Sequence, residues 1–170
     1  MEWDFIDHVL ENKGFGSRWR KWIKGCLSSS NFSVMVNGRP RGIFNASRGI
    51  RQGDPLSPFI FVLVVDALNR LVVRARDVGL IEGFEIGRDR VKLSHLQFAD
   101  DTIFFLPKDE SKLKNLVDIL DIFGLALGLN INLYKSMLVG TKVKEEDMVS
   151  LTRVAGCELG LWRCPTLGCL

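Results

Sequence analysis

The chain has 170 residues, 46% hydrophobic and 25% charged, the mix of one soluble domain with a sizeable core. Its net charge of +3 does not by itself mark a nucleic-acid binder. The opening Met1-Glu2-Trp3-Asp4 lacks a secretory pattern and the longest apolar run, Phe59 to Val65, is too short for a bilayer, so the expected setting is intracellular, nucleus or cytoplasm, with no membrane partner.

Two helices are predicted first, over 4–12 and 17–27, broken at Gly14. Ile6, Val9 and Leu10 form one apolar face and Trp19, Trp22, Ile23 and Cys26 the next, both read as core, with Ser17 as an N-cap. Phe32 to Val36 alternates like a strand; Asn37-Gly38 signals a hairpin turn because both positions favour positive φ, and Gly42-Ile43-Phe44 returns. The stretch 47–58 is a loop punctuated by two glycines and two prolines. Ser57 then caps a helix with Pro58 at its first turn, running to about Arg76, apolar nearly all round at first and amphipathic near Asn69 and Arg70. Gly79, Gly83 and Gly87 punctuate short strands over 79–93, and Leu93 to Leu106 reads as a hairpin. A helix from Asp109 or Ser111 ends by Gly128, a strand covers Lys135 to Val139, and a last helix covers 145–156. Helices and strands interleave without regular βαβ spacing, which favours an α+β fold with an antiparallel sheet. The four cysteines, Cys26, Cys157, Cys164 and Cys169, show no CxxC spacing and read as reduced thiols.

The predicted hairpin carries the chemistry. Asp100-Asp101 interrupts Leu96-Gln97-Phe98-Ala99 and Thr102-Ile103-Phe104-Phe105-Leu106. Ionised carboxylates avoid apolar surroundings unless a positive charge offsets their desolvation. A pair at the tip of an apolar hairpin can hold a divalent metal; a solvated turn tip explains the same string, and the pair alone leaves both open. The basic residues fall in two early groups, Arg18, Arg20, Lys21 and Lys24, then Arg39, Arg41, Arg48 and Arg51, each read first as a solvated face. His95 reads as a structural histidine.

Arg51-Gln52-Gly53-Asp54-Pro55-Leu56-Ser57-Pro58-Phe59, followed some forty residues later by Phe98-Ala99-Asp100-Asp101, resembles reverse transcriptases, in particular those of plant-type non-LTR (LINE-type) retrotransposons. Gly14-Phe15 through Trp22-Ile23 resembles the segment after the family's first motif, and Phe32 to Gly38 the hairpin before its second. Gly128-Leu129-Asn130-Ile131-Asn132 with Lys135-Ser136 resembles the fourth, and Pro165-Thr166-Leu167-Gly168 a frayed form of the segment after it. The resemblance implies a partial palm, an antiparallel sheet with helices on one face, plus a remnant of the fingers. Residues 1–54 would be the fingers-side segment and 55–170 the palm segment. It implies nucleotidyl transfer with two Mg²⁺ ions, an RNA template, a DNA primer and dNTP. Asp100 and Asp101 inherit the metal-holding catalytic role, and Lys135 the role of neutralising or protonating pyrophosphate. Arg48, Arg51, Gln52, Gly53, Ser57 and Phe98 fall on the nucleotide and template side. Phe98 is read as an aromatic of the core or the primer side. Surface ion pairing is an equal reading for Arg48, as is a snorkelling lysine for Lys135.

The family's third carboxylate belongs to the first motif, and no aspartate of this chain matches it; Asp4 and Asp7 follow the tryptophan that Trp3 resembles. The expectation is therefore a retroelement polymerase fragment, truncated at both ends and inactive alone. The alternative is a non-enzymatic nucleic-acid-binding or interaction domain derived from such an element.

Overall fold

The computed structural model describes residues 1–98, 101–129 and 131–160. Helix α1 (Trp3–Asn12) buries Ile6, Val9 and Leu10, one stripe at helical spacing. Helix α2 (Ser17–Ser28) buries Ile23 alone. Its N-cap position is Gly16, with no side-chain cap, so Ser17 is the first helical residue rather than the cap. Arg20 ties α2 back to α1 through Asp7 at 2.7 Å and Glu11 at 2.8 Å. Trp22, expected in the core, is 58% exposed, and the Arg18 guanidinium lies 5.0 Å from its ring. The reason is geometric: adjacent helical positions diverge by about 100°, so burying Ile23 leaves its neighbour at the rim, where a cation one turn away can cover the ring.

Strands β1 (Asn31–Val36) and β2 (Arg39–Asn45) pair antiparallel, with Val36 opposite Arg39. The two-residue turn has Asn37 at φ 49° and Gly38 at φ 75°, the geometry that matches strand twist. The register shifts between Phe32 and Val34, where Gly42 and Ile43 oppose Ser33. After the loop, α3 (Ser57–Asp77) buries Ile60, Val64, Leu68, Val72 and Ala75 along one line, while Phe59 and Val62 are exposed. The expectation that its early turns would be buried all round is not met.

Strands β3 (Phe84–Ile86) and β4 (Val91–Leu93) form a second antiparallel pair, and β5 (His95–Phe98) and β6 (Asp101–Phe104) a third. Helix α4 (Glu110–Leu127) starts after Asp109, whose carboxylate accepts from the Ser111 amide at 2.8 Å and the Lys112 amide at 3.3 Å. That is the capping the sequence suggested. A 3-10 turn (Leu133–Lys135) precedes β7 (Met137–Leu138), α5 (Glu145–Ala155) and β8 (Glu158–Leu159). The predicted strand over Lys135 to Val139 is thus a 3-10 turn followed by two strand residues. Because α5 lies between them as a crossover, β7 and β8 pair parallel. Among the described residues the strands pair two by two, so the mixed helix-and-strand class holds while the pairing seen is three antiparallel ribbons and one parallel pair.

Two compact units divide the chain within α3 and α4: Met1–Arg70 with Phe123–Leu129, and Leu71–Ile122 with the chain from Asn130 onward. In the first, the Glu2 amide donates to the Leu127 carbonyl at 2.7 Å, Phe5 meets Phe123 edge-on at 6.2 Å, and Lys13 pairs with Asp66. In the second, Leu113, Met148, Leu151 and Ala155 form a core against which Leu106 and Leu138 pack. The Asn115 amide donates to the Leu80 carbonyl at 2.8 Å, holding α4 to the turn after α3. Among the described residues no helix is long and apolar enough to cross a membrane.

Candidate functional site

The loop after β2 is pinned at two points. The Gly49 amide donates to the Met1 carbonyl at 2.7 Å, and the Trp3 indole donates to the Gly49 carbonyl at 2.7 Å. Trp3 thus fixes the chain entering the Arg51–Pro58 motif. Within the motif, the Asp54 amide donates to the Arg51 carbonyl at 3.3 Å, closing a turn through Gln52 and Gly53. Gly53 sits at φ 84°, a conformation that disfavours any side chain. Asp54 then accepts from the Leu56 amide at 2.8 Å, and its carbonyl accepts from the Ser57 amide at 3.0 Å. The carboxylate is thereby spent on shaping the turn into α3.

Gln52 and Gly53 are both exposed at the crest of this turn. The Ser57 hydroxyl donates to the Arg51 carbonyl at 2.5 Å, so it braces the loop from inside. Arg51 is exposed and makes no ion pair among the described residues, whereas Arg48 lies 3.8 Å from Glu2 with both side chains well exposed. Beneath the turn, Arg51, Ser57, Ile60 and Cys26 border a cleft of about 10 Å³, room for one water.

The acidic pair is described at one of its two residues. Asp101 opens β6 opposite Phe98; Ala99 and Asp100 lie outside the described residues. Cross-strand partners share a face, so Asp101 lies on one face with Phe98, Leu96 and Ile103. Those three apolar side chains are exposed, Phe98 by 83%. The expectation of a core position for Phe98 therefore fails: the tip residue has no second layer over it. The opposite face is the quiet one. There the Thr102 hydroxyl donates to the Gln97 side chain at 2.6 Å and the Phe104 ring stacks on His95 at 5.9 Å.

His95 behaves as the structural histidine expected. Its Nδ1 lies 3.1 Å from the hydroxyl of buried Ser94. Burial first, then the charge of Arg76, pulls its pKa below the ordinary value. Lys135 ends the 3-10 turn with its side chain exposed and, among the described residues, unpaired. Asn130, in the same predicted motif, and the segment from Trp162 to Leu170, with Cys164 and Cys169, lie outside the described residues.

Among the described residues no three Asp, Glu, His or Cys side chains gather to hold a metal. Asp101 offers a solvent-facing carboxylate with no ion pair there, and hard oxygen donors of this kind suit Mg²⁺. The sequence pattern placed Trp22 in the core, and Arg18, four residues earlier on the same helix, was the signal available for a surface aromatic.

Comparison with known proteins gives a concordant picture. A family model described as "Reverse transcriptase (RNA-dependent DNA polymerase)" matches residues 1–147. An uncharacterized mitochondrial protein of Arabidopsis thaliana is 44% identical over 68 residues, 40% of this chain and 56% of that protein. The retrovirus-related Pol polyprotein from type-1 retrotransposable element R2 of Popillia japonica is 31% identical over 135 residues, 79% of this chain. That from type-2 retrotransposable element R2DM of Drosophila melanogaster is 31% identical over 146 residues, 86% of this chain. The chain spans just over half the length of the first relative and only 18% and 13% of the two polyproteins.

Proposed function

Because the chain belongs to the reverse transcriptase (RNA-dependent DNA polymerase) family, we propose that it is a segment of the RNA-directed DNA polymerase of a LINE-type, non-LTR retroelement, working on an RNA template, a DNA primer and dNTPs inside the cell. Residues 1–54 make the fingers-side portion, and 55–170 the palm portion with α3, the acidic hairpin and the fourth motif. One observation supports this most: an exposed Asp101 stands at the tip of an antiparallel hairpin whose face is otherwise apolar. A merely solvated turn needs no such apolar face.

Asp100 and Asp101 hold Mg²⁺, two ions in the family at large, through hard carboxylate oxygens. The metal, when bound, supplies acidification of the primer 3′-hydroxyl and charge neutralisation at the leaving pyrophosphate. The chain's own groups bind and orient. The turn through Gln52 and Gly53 lets backbone approach the incoming nucleotide and template, and Ser57 keeps that turn rigid from beneath. Arg48 and Arg51 contact phosphates, which arginine meets with paired donors. Lys135 brings positive charge to pyrophosphate, and Phe98 flanks the primer.

The 170-residue polypeptide carries two carboxylates of the metal-holding set, so by itself it should bind Mn²⁺ weakly and extend no primer. Paramagnetic broadening by Mn²⁺ that vanishes in Asp100→Asn and Asp101→Asn supports the metal assignment; broadening unchanged in both variants overturns it. Template-dependent primer extension by the wild-type polypeptide, abolished by Asp100→Ala, overturns the inactivity. A second reading, nucleic-acid binding without catalysis, is favoured by charge: the first compact unit holds ten Lys and Arg against six Asp and Glu. RNA binding that weakens with salt yet ignores Asp100→Ala and Asp101→Ala supports it.

A further inference from the structure

Half of the ten basic residues of the first unit are held in ion pairs. Lys13 and Arg70 pair with Asp66, Arg20 with Asp7 and Glu11, Lys24 with Asp4, and Arg48 with Glu2. Arg39 and Arg41 belong to the other half. Both stand on β2, both are exposed, and neither has an ion pair among the described residues.

The register of the β1–β2 ribbon decides what they stand beside. Val36 faces Arg39, Val34 faces Arg41, and Phe32 faces Phe44. Alternate positions share a face, and the bulge at Gly42 and Ile43 returns Phe44 to the face of Arg41, so one side of the ribbon carries three rows about 7 Å apart: two valine–arginine rows toward the turn, then a pair of phenylalanines. The two phenylalanine rings stack at 5.9 Å, and Phe44 is 53% exposed. Met35 and Pro40 lie on the other side and bring no charge. Every residue of both strands is exposed.

We propose that this face of the β1–β2 ribbon, Phe32 and Phe44 with Arg39 and Arg41, is a binding platform for a single-stranded polynucleotide. The inference rests on the reading of the chain as a nucleic-acid-handling segment and assigns it residues other than those of the acidic hairpin and the Gln52 loop. Charge complementarity selects the occupant. Uncompensated guanidinium groups beside exposed aromatic faces match phosphates and unstacked bases, and a base stacks on an aromatic ring whatever its identity. An acidic protein would satisfy the arginines but leave the ring faces unused. A duplex keeps its bases stacked on each other and offers the rings nothing.

The test is fluorescence anisotropy of the 170-residue chain with labelled single-stranded RNA, single-stranded DNA of the same sequence, and the duplex. The variants are Arg39→Gln with Arg41→Gln, and Phe44→Leu, which keeps the apolar bulk and loses the ring. Circular dichroism of each checks the fold. Single-strand binding weakened on the order of tenfold by Phe44→Leu is expected. The double arginine variant should lower the slope of log K against log salt by about 1.4. Equal weakening for RNA and DNA assigns the platform to single strands in general, and weakening for RNA alone assigns it to RNA. Tight single-strand binding that both ribbon variants leave intact overturns the proposal without touching the polymerase reading, which stands or falls on the Asp100 and Asp101 variants. No single-strand binding at low salt, or duplex bound as tightly as single strands, overturns it as well.

Discussion

A proton on His95 is disfavoured in the folded chain. The ring is partly buried beside Ser94 and Phe104 and feels Arg76, which lowers its pKa below the ordinary 6.5. The unfolded chain therefore takes up the proton first. Stability from this residue is complete above the ordinary value and is lost as the pH falls below it toward the lowered folded value. Urea midpoints measured from about pH 7 down to about pH 5.5 should fall in the wild type, and His95→Gln should flatten that slope. Asp66 carries a dependence of the same sign, set in a more acidic range. The hydrogen bond from Lys13, more than any other cause, holds its carboxyl below the ordinary 3.8, so its contribution survives to strongly acidic conditions. Gly83 shows what residue-level reading misses. It passes in the sequence as one more breaker among Gly79 and Gly87, yet a Cβ there would lie 2.9 Å from the Ser94 Cα. Its cause is the close approach of the partner strand β4, whose Leu93 pairs with Phe84, not a local turn.

At the scale of elements, the β1–β2 ribbon is the most self-contained piece. Among the described residues no layer covers either face, so its stability rests on the turn and the cross-strand pairs. Gly38 at φ 75° is the position with the least tolerance. Gly38→Ala should cost about 1 kcal/mol locally, visible as faster hydrogen exchange of β1 amides while α5 amides keep their protection. The helices were legible because their signals are local: Ile6, Val9 and Leu10 at helical spacing, and Asp109 as a cap. The region after Asn132 was not. The strand expected over Lys135 to Val139 shortens to Met137–Leu138, and Lys135 closes a 3-10 turn instead, because β7 pairs with β8 some twenty residues later and only two residues reach that partner.

For the whole molecule, the second unit holds a small buried cluster around α5. Leu151 sits in it with Leu113, Met148 and Ala155 and is 7% exposed. Leu151→Ala should destabilise by about 3 kcal/mol, read as a lower urea midpoint at an unchanged slope. Charge is unevenly shared as well: the first unit holds a basic excess although the chain's net charge is only +3. Net charge therefore understates how strongly one part of the chain can attract phosphate. Sequence alone marked the basic clusters, and only the ion pairs of Arg20, Lys24 and Arg48 separate the charges held internally from Arg39 and Arg41.

The amino-acid sequence by itself determined the family, the order of most elements, the Asn37-Gly38 turn, the Gln52-Gly53 loop and the placing of Asp101 at a hairpin tip. These follow from local backbone preference, hydrophobic spacing and motif identity, all written within a few residues of where they act. Tertiary structure alone decided that Trp22 and Phe98 face solvent, that Ser57 braces the loop through the Arg51 carbonyl, and that Phe32, Phe44, Arg39 and Arg41 share one open face. Each of these depends on which remote segment does or does not arrive to cover a side chain, and on a strand register that one residue of slip would reverse.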